Sequence, residues 1–181
     1  MESLSAAETQ IVLQAYAAIT EPSRWSSVLA AIAAQCDASI ASLGTVANPS
    51  DDLYLRFDHN VDPATLREYA AHWSEQDAWV GAASRRGVYR SGQVHIGSDV
   101  LSWEDLESTA FYNELAARAG LKAMASCILH GAEAAGQPMT HLSVFRSPGQ
   151  PEFQRDDARM LARLRPHLTR AVECARAVSA R

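Results

Sequence analysis

Leu121 to Leu129 reads LKAMASCIL, and Met139 to Arg146 reads MTHLSVFR. Both runs are short, apolar and bounded by turn residues, the signature of strands. Gly131 to Pro138 between them is rich in Gly, Ala and Pro, so the two runs form a hairpin. Strand side chains alternate between faces. One face then collects Ala123, Ala125, Cys127 and Leu129 with Leu142 and Val144, small and apolar groups suited to helix packing. The other collects Met124, Ser126 and Ile128 with His141, Ser143 and Phe145. That second mixture, apolar with two hydroxyls and an imidazole, is what lines small-molecule pockets. Cys127 and His141 fall on opposite faces in the simplest register, which argues against a thiol–imidazole catalytic couple.

Beyond the hairpin, Ser147-Pro148-Gly149 stops the second strand. Phe153 to Arg181 then reads FQRDDARMLARLRPHLTRAVECARAVSAR. Leu161, Leu164, Leu168, Ala171, Ala175 and Val178 recur at steps of three and four, a heptad seam. Asp156 and Asp157 suit the helix N-terminus. Pro166 predicts a bend near Arg165. Two readings of this helix stand side by side. It either joins two copies of the chain through the seam, or it covers the core of its own domain. The chain divides accordingly into a sensing domain over 1–152 and a signalling or dimerisation helix over 153–181, packed on that domain or extending from it.

Upstream, Leu4 to Ile19 and Trp25 to Cys36 carry apolar residues at helical spacing, with Glu21-Pro22-Ser23 between them. Ser39 to Val46 and Leu53 to Phe57 read as strands of a first hairpin, turning at Asn48 to Asp52. Asp62-Pro63 starts a helix, as N-cap and first helical residue. Ser84 to Gly87 reads as a loop and Gln93 to Ile96 as a short strand. Ser102 with Asp105 opens a further helix that Gly120 ends. Helices, hairpin, helices, hairpin, helix is an α+β order with a mostly antiparallel sheet.

Composition narrows the function. The 181 residues have a net charge of −5 and only one lysine, Lys122. That balance does not suit a chain that grips DNA phosphates. Cys36, Cys127 and Cys174 are too few and too scattered for a disulfide framework and fit a reducing, cytoplasmic setting. No run is long and apolar enough to span a membrane, and MESLSAAETQ has no basic signal-peptide start. No nucleophile elbow, phosphate-binding glycine loop or zinc-protease motif is present, and the six histidines lack metal-ligand spacing. The reading is a non-enzyme with no cofactor and no metal.

Four stretches carry a family resemblance. They are Pro22-Ser23-Arg24-Trp25 followed by Leu29, and Tyr69 through Asp77-Ala78-Trp79. The others are Ser108 to Leu115 closed by Gly120-Leu121, and Leu164-Arg165-Pro166-His167-Leu168-Thr169-Arg170-Ala171. In this order they resemble the PAS/GAF-like N-terminal sensor region of LuxR-family helix-turn-helix regulators. Two departures stand out. Ala78 occupies a position where the family usually has Pro, and the 181 residues contain no helix-turn-helix. The sequence reads either as an excised sensor domain or as a single-domain relative. The resemblance implies a bacterial transcription-regulation role, a small-molecule signal, a homodimer and DNA contact only through a separate C-terminal module. It also implies that Tyr69, Trp73 and Asp77 hold the signal's polar head.

A pocket is therefore expected, of about 300 Å³ or more. Its floor would be the sheet face bearing Met124, Ser126, His141, Ser143 and Phe145. Its roof would be Tyr69, Trp73, Asp77, Trp79 and Phe111. Aromatic rings would bury an apolar body and Asp77 would accept from ligand N–H or O–H groups, which favours a neutral amphiphile. Aromatic roof and floor in direct contact with no cavity between them would overturn the sensor reading in favour of the alternative, a ligand-free dimerisation or protein-interaction module of the same fold.

Overall fold

The computed structural model describes residues 3–46 and 53–179. The Asn48 to Asp52 turn lies outside them. Two helices open the chain, α1 (Ala6–Ala17) and α2 (Trp25–Gln35), joined through a 3-10 turn at Pro22–Arg24. Ser5 caps α1 in a reciprocal box with Glu8: Ser5 N–H donates to Glu8 Oε2 at 2.6 Å, and Glu8 N–H to Ser5 Oγ at 3.2 Å. Strands β1 (Ile40–Thr45) and β2 (Arg56–His59) form the first hairpin. Next come α3 (Pro63–Glu68), capped by Asp62, a π-helical turn at Tyr69–Trp73, and α4 (Ala78–Arg85), capped by Asp77. Strand β3 (Val94–Ile96), short helices α5 (Gly97–Val100) and α6 (Trp103–Glu107), and a second π-helical turn at Tyr112–Ala116 follow. Gly120 closes that segment at φ +71°, a left-handed geometry that suits glycine. The chain ends in β4 (Ala123–His130), β5 (Thr140–Arg146) and α7 (Arg155–Ser179).

The strands form one antiparallel sheet in the order β2-β1-β5-β4-β3. The α+β expectation holds, and the β4–β5 faces fall as the alternation requires. Ala123, Ala125, Cys127, Leu129, Leu142 and Val144 are buried in the main core with residues of α1, α2 and α7. Met124 and Phe145 face the opposite way, into a second cluster with Trp73, Trp79, Phe111 and Leu115. Three local expectations differ. Strand β2 pairs over Arg56–His59 rather than Leu53 to Phe57, although Leu55 and Phe57 do pack on the core. Ser84 and Arg85 finish α4 instead of lying in a loop, because the Asp77 cap starts a helix that runs on to them. Gly97–Val100 forms a helical turn that no periodicity marks.

The C-terminal helix corrects a larger expectation. Leu161, Leu164, Leu168 and Ala171 are fully covered within the single chain, against the sheet and α1. They are not a free seam. Ala175 is only half-buried and Val178 is 50% exposed, whereas Val172 and Arg176 are buried. An α-helix on a sheet keeps its 3.6-residue period, so a 3.5-residue seam rotates off the contact by roughly 20° per heptad. The stripe that stays inward is the one through Val172 and Arg176. Helix α7 also continues through Pro166, which lies on the exposed side where water can satisfy the carbonyl it leaves free.

Buried charge fastens this layer. Arg163 Nη2 donates to Glu8 Oε1 at 2.6 Å, joining α7 to α1. Arg146 donates to the carbonyls of Asp37, Pro151 and Glu152 and meets the Asp157 carboxylate at 3.2 Å. Arg176 donates to Thr45 Oγ1 at 3.0 Å, Thr140 Oγ1 at 2.8 Å and the Leu53 carbonyl at 3.1 Å. A guanidinium with several fixed acceptors tolerates burial where a bare charge does not.

Candidate functional site

The site grows from strand register. On the face away from α7, β2 to β3 align Asp58, Ser42, Ser143, Ser126 and His95 in one row across the sheet. The next row holds Arg56, Gly44, His141 and Ile128. The row on the other side holds Ile40, Phe145 and Met124. One end of this face is thus apolar and the other polar. The hydroxyls are tied together: Ser143 Oγ donates to Ser126 Oγ at 3.1 Å, and Ser42 Oγ donates to Asp58 Oδ1 at 2.7 Å. Arg56 forks onto the same carboxylate, Nε to Oδ2 at 3.0 Å and Nη2 to Oδ1 at 2.9 Å.

Above the apolar end, the expected roof and floor touch. Trp79 lies with its ring centroid 6.0 Å from Phe145 and 6.0 Å from Phe111, and Phe111 meets Trp73 edge-on at 6.2 Å. Trp79 also covers Gly97: a Cβ there would sit 3.0 Å from Trp79 Nε1 and 3.2 Å from the Met124 carbonyl. Here the rings fill the space that the sequence left for a ligand's apolar body. Trp73 turns its indole N–H outward to Glu68 Oε1 at 3.4 Å, and Arg118 holds that carboxylate at 2.6 Å. The N–H is therefore engaged away from the sheet. Surface grooves of about 320 and 410 Å³ lie elsewhere, on α1 and α2.

The polar end differs. The π-helical turn lets Tyr69 reach across to the residue that starts α4. Tyr69 Oη donates to Asp77 Oδ2 at 3.1 Å, and Val80 N–H donates to Asp77 Oδ1 at 3.1 Å. Burial pushes the Asp77 carboxyl above its usual range. The Tyr69 phenol is raised by burial, and further by the Asp77 charge. Tyr89 is raised in the same way, and its ring meets His95 edge-on at 6.2 Å. Burial holds His141 down at about 4, helped by the charges of Arg56 and His95. His95 is lowered by burial too. Tyr69, Asp77, Tyr89 and His141 are all strongly desolvated, yet each keeps accessible surface. Nδ1 of His95 and Nδ1 of His141 have no hydrogen-bond partner among the described residues.

The expected site residues therefore divide. Met124, Phe145, Trp73, Trp79 and Phe111 share a packed aromatic cluster. Tyr69, Asp77, Ser126, His141 and Ser143 belong to the polar end. Arg56, Tyr89 and His95 were missed. The alternation of β2 and β3 carried a signal for Arg56 and His95; nothing local marked Tyr89. Chemically the polar end can accept and donate hydrogen bonds. Burial pushes the Cys127 thiol up to about 12, away from the thiolate form that a nucleophile needs. Among the described residues no three His, Cys, Asp or Glu side chains are placed to hold a metal.

No protein-family model and no curated protein matches this sequence. Structure finds what sequence does not. The chain is similar to the LBD domain of VqsR from Pseudomonas aeruginosa, with TM-score 0.67 and 16% identity over 94% of this chain and 97% of that one. It is also similar to CepR2 from Burkholderia cenocepacia, an N-acylhomoserine lactone dependent LuxR-family transcription factor. There the TM-score is 0.62, with 16% identity over 93% of this chain and 94% of that one. The fold is that of the ligand-binding domains of LuxR-type regulators. That likeness is one of fold.

Proposed function

We propose that this chain is the sensing domain of a bacterial LuxR-type regulator, non-enzymatic and cytoplasmic, in which a small molecule at the sheet's polar end biases a homodimer. The observation that carries this reading is the polar end of the sheet face, where Tyr69 is hydrogen-bonded to Asp77, Tyr89 meets His95 edge-on, and the Nδ1 atoms of His95 and His141 have no partner among the described residues. Burying the His95 and His141 imidazoles with Nδ1 unpaired among the described residues costs free energy that a bound partner would recover. The fold supports the same reading, because its structural neighbours are regulator domains. No helix among the described residues is long and apolar enough to cross a membrane. DNA contact is assigned to a separate module and not to these residues, whose net charge is −5. Dimerisation, if it uses α7, falls to its exposed end around Ala175 and Val178, since Leu161, Leu164, Leu168 and Ala171 serve the core.

A second reading rests on a specific contact. Trp79 packed between Phe145 and Phe111 fits a ligand-free dimerisation module whose pocket is filled by its own side chains. Thermal-shift measurement against extracts of the source bacterium's spent medium separates the two. A fraction that raises the melting temperature of the wild type but not of Asp77→Asn supports the sensor. A response absent in both supports the ligand-free module, and a response identical in both places the ligand away from Asp77.

A further inference from the structure

Helix α1 is apolar on both of its sides. Ile11, Val12 and Ala15 are buried in the main core. Yet Leu13 is 56% and Tyr16 38% exposed, two of the four large apolar side chains exposed among the described residues. Ala6, Ala7 and Ala17 add to the outward side. A surface helix carries charged and polar groups on its outer side, whereas a helix that is apolar all round is covered all round. Helix α7 follows the surface pattern, with Arg155, Asp156, Arg159 and Arg170 exposed.

Charge is missing from the whole outer layer. Between Ala6 and Gln35 the charged residues are Glu8, Glu21 and Arg24. Glu8 is buried against Arg163 at 2.6 Å, and Glu21 pairs with Arg24 at 2.6 Å in the connecting turn. The outer faces of α1 and α2 present Thr9, Gln10, Gln14, Ser26, Ser27 and Gln35 instead. Exposed apolar anchors in a surface depleted of charge mark the centre of a protein–protein interface. A nucleic acid finds no row of cations here, and a membrane-binding face would carry lysine or arginine around its apolar residues.

Shape points to the occupant. A groove of about 320 Å³ between α1 and α2 is lined by residues that include Ala7, Gln10, Ala31 and Ala34. A second, of about 410 Å³, is bounded by Leu13, Ala17 and Ser27, and Gln14 lines both. Leu13 therefore protrudes beside an open groove. A knob next to a hole on one face is self-complementary, because a two-fold axis lying in the face between them sets each Leu13 into the groove of the other copy. Charge agrees with this. Each copy carries −5 overall, so contact between copies is least opposed through a face with no net charge.

Resting on the homodimer of the sensor reading, we propose that the outer face of α1 and α2, and not the end of α7, is where two copies of this chain meet, with Leu13 of one copy seated in the α1–α2 groove of the other beside Ala34.

Sedimentation of the purified chain over roughly 1–100 µM, a range that covers weak self-association, tests this. Leu13→Glu charges the knob, and Ala34→Arg fills the groove with a cation near the end of α2, where a helix tolerates one. Both positions are exposed, and both variants are checked first for wild-type circular dichroism. Each is expected to weaken the dimer at least about tenfold. An equal mixture of the two variants is expected to restore it, because the mixed dimer pairs Glu with Arg at one contact and keeps Leu with Ala at the other. Val178→Glu is expected to leave it unchanged. A dimer that neither α1 nor α2 variant weakens overturns this surface and leaves the homodimer of the sensor reading standing. Weakening that the mixture does not reverse, or that only one substitution produces, overturns the seating of Leu13 in the groove. A wild type that stays monomeric throughout overturns both the surface and the homodimer.

Discussion

Tyr69 donates its phenolic hydrogen to Asp77 across 3.1 Å, from a π-helical turn to the residue that caps α4. One carboxylate thus has two tasks. Oδ1 takes the Val80 N–H and starts the helix; Oδ2 takes Tyr69 and closes the polar end of the site. The tasks can be separated by substitution. Asp77→Asn keeps a good cap and removes the buried charge, so its folding stability is expected within about 1 kcal/mol of wild type. Asp77→Ala loses the cap and is expected to cost about 1–2 kcal/mol in urea denaturation. If the two variants are equally destabilised, the cap is not what Asp77 contributes.

His141 makes stability depend on pH. Its ordinary value is 6.5, and burial lowers it to about 4 in the folded chain. Between those values the unfolded chain binds a proton that the folded chain does not, so stability falls as pH drops from about 6.5 to about 4. The full loss is on the order of 3 kcal/mol, because each tenfold change in proton affinity is worth about 1.4 kcal/mol. His95 acts with the same sign. Asp77, raised by burial from 3.8, acts with the opposite sign as pH rises. Subtracting the His141→Phe stability profile from that of wild type isolates the His141 share. A flat difference between pH 7 and pH 4 contradicts the burial of a neutral ring.

Gly97 tests the aromatic closure. Gly97→Ala places a methyl group 3.0 Å from Trp79 Nε1 and 3.2 Å from the Met124 carbonyl. The indole has to yield, and overpacking of this kind costs about 1–3 kcal/mol. Both a lower urea midpoint and a changed near-ultraviolet circular dichroism signal from Trp79 are expected. An unchanged aromatic signal shows that Trp79 does not sit over Gly97.

Along α7 the core stripe and the heptad seam make different predictions. Leu168 is buried in the main core, so Leu168→Glu is expected to unfold the domain or cost on the order of 4 kcal/mol. Val178 is exposed, so Val178→Glu is expected to leave the melting temperature near wild type. Sedimentation of Val178→Glu then reads whether the end of α7 joins two copies. Val178→Glu destabilising the monomer as much as Leu168→Glu would show that α7 packs on its domain by the 3.5-residue seam.

Much of the fold was legible because its signals are local. Alternation in LKAMASCIL and MTHLSVFR assigned each side chain of the main hairpin to its face, and a hairpin has one register that buries the apolar face. Asp62 and Ser102 announced helix starts through short-range capping, and both accept from the backbone as expected. Arg176 was not legible. Nothing in the row of arginines along α7 sets it apart, yet it is buried against Thr45 and Thr140. Nothing within α7 distinguishes a 3.5-residue seam from a 3.6-residue stripe over so few turns, and only the flat surface of the sheet decides between them.

The site shows the same division. Strand parity alone put Ser126, His141 and Ser143 on one side of the sheet, while Tyr69 and Asp77 were expected above it from the family resemblance. Whether Trp79 stands apart from Phe145 or rests on it depends on how α4 docks above β5. That docking is set by Gly97, which lets the indole come close, and by Phe111, which arrives from a segment more than thirty residues further along the chain. Packing at that separation is a sum of weak contacts among distant residues, and no local pattern encodes the sum. The sequence alone therefore assigned the strand faces. The tertiary structure decided that the aromatic end is filled and that Arg56, Tyr89 and His95 join the polar end.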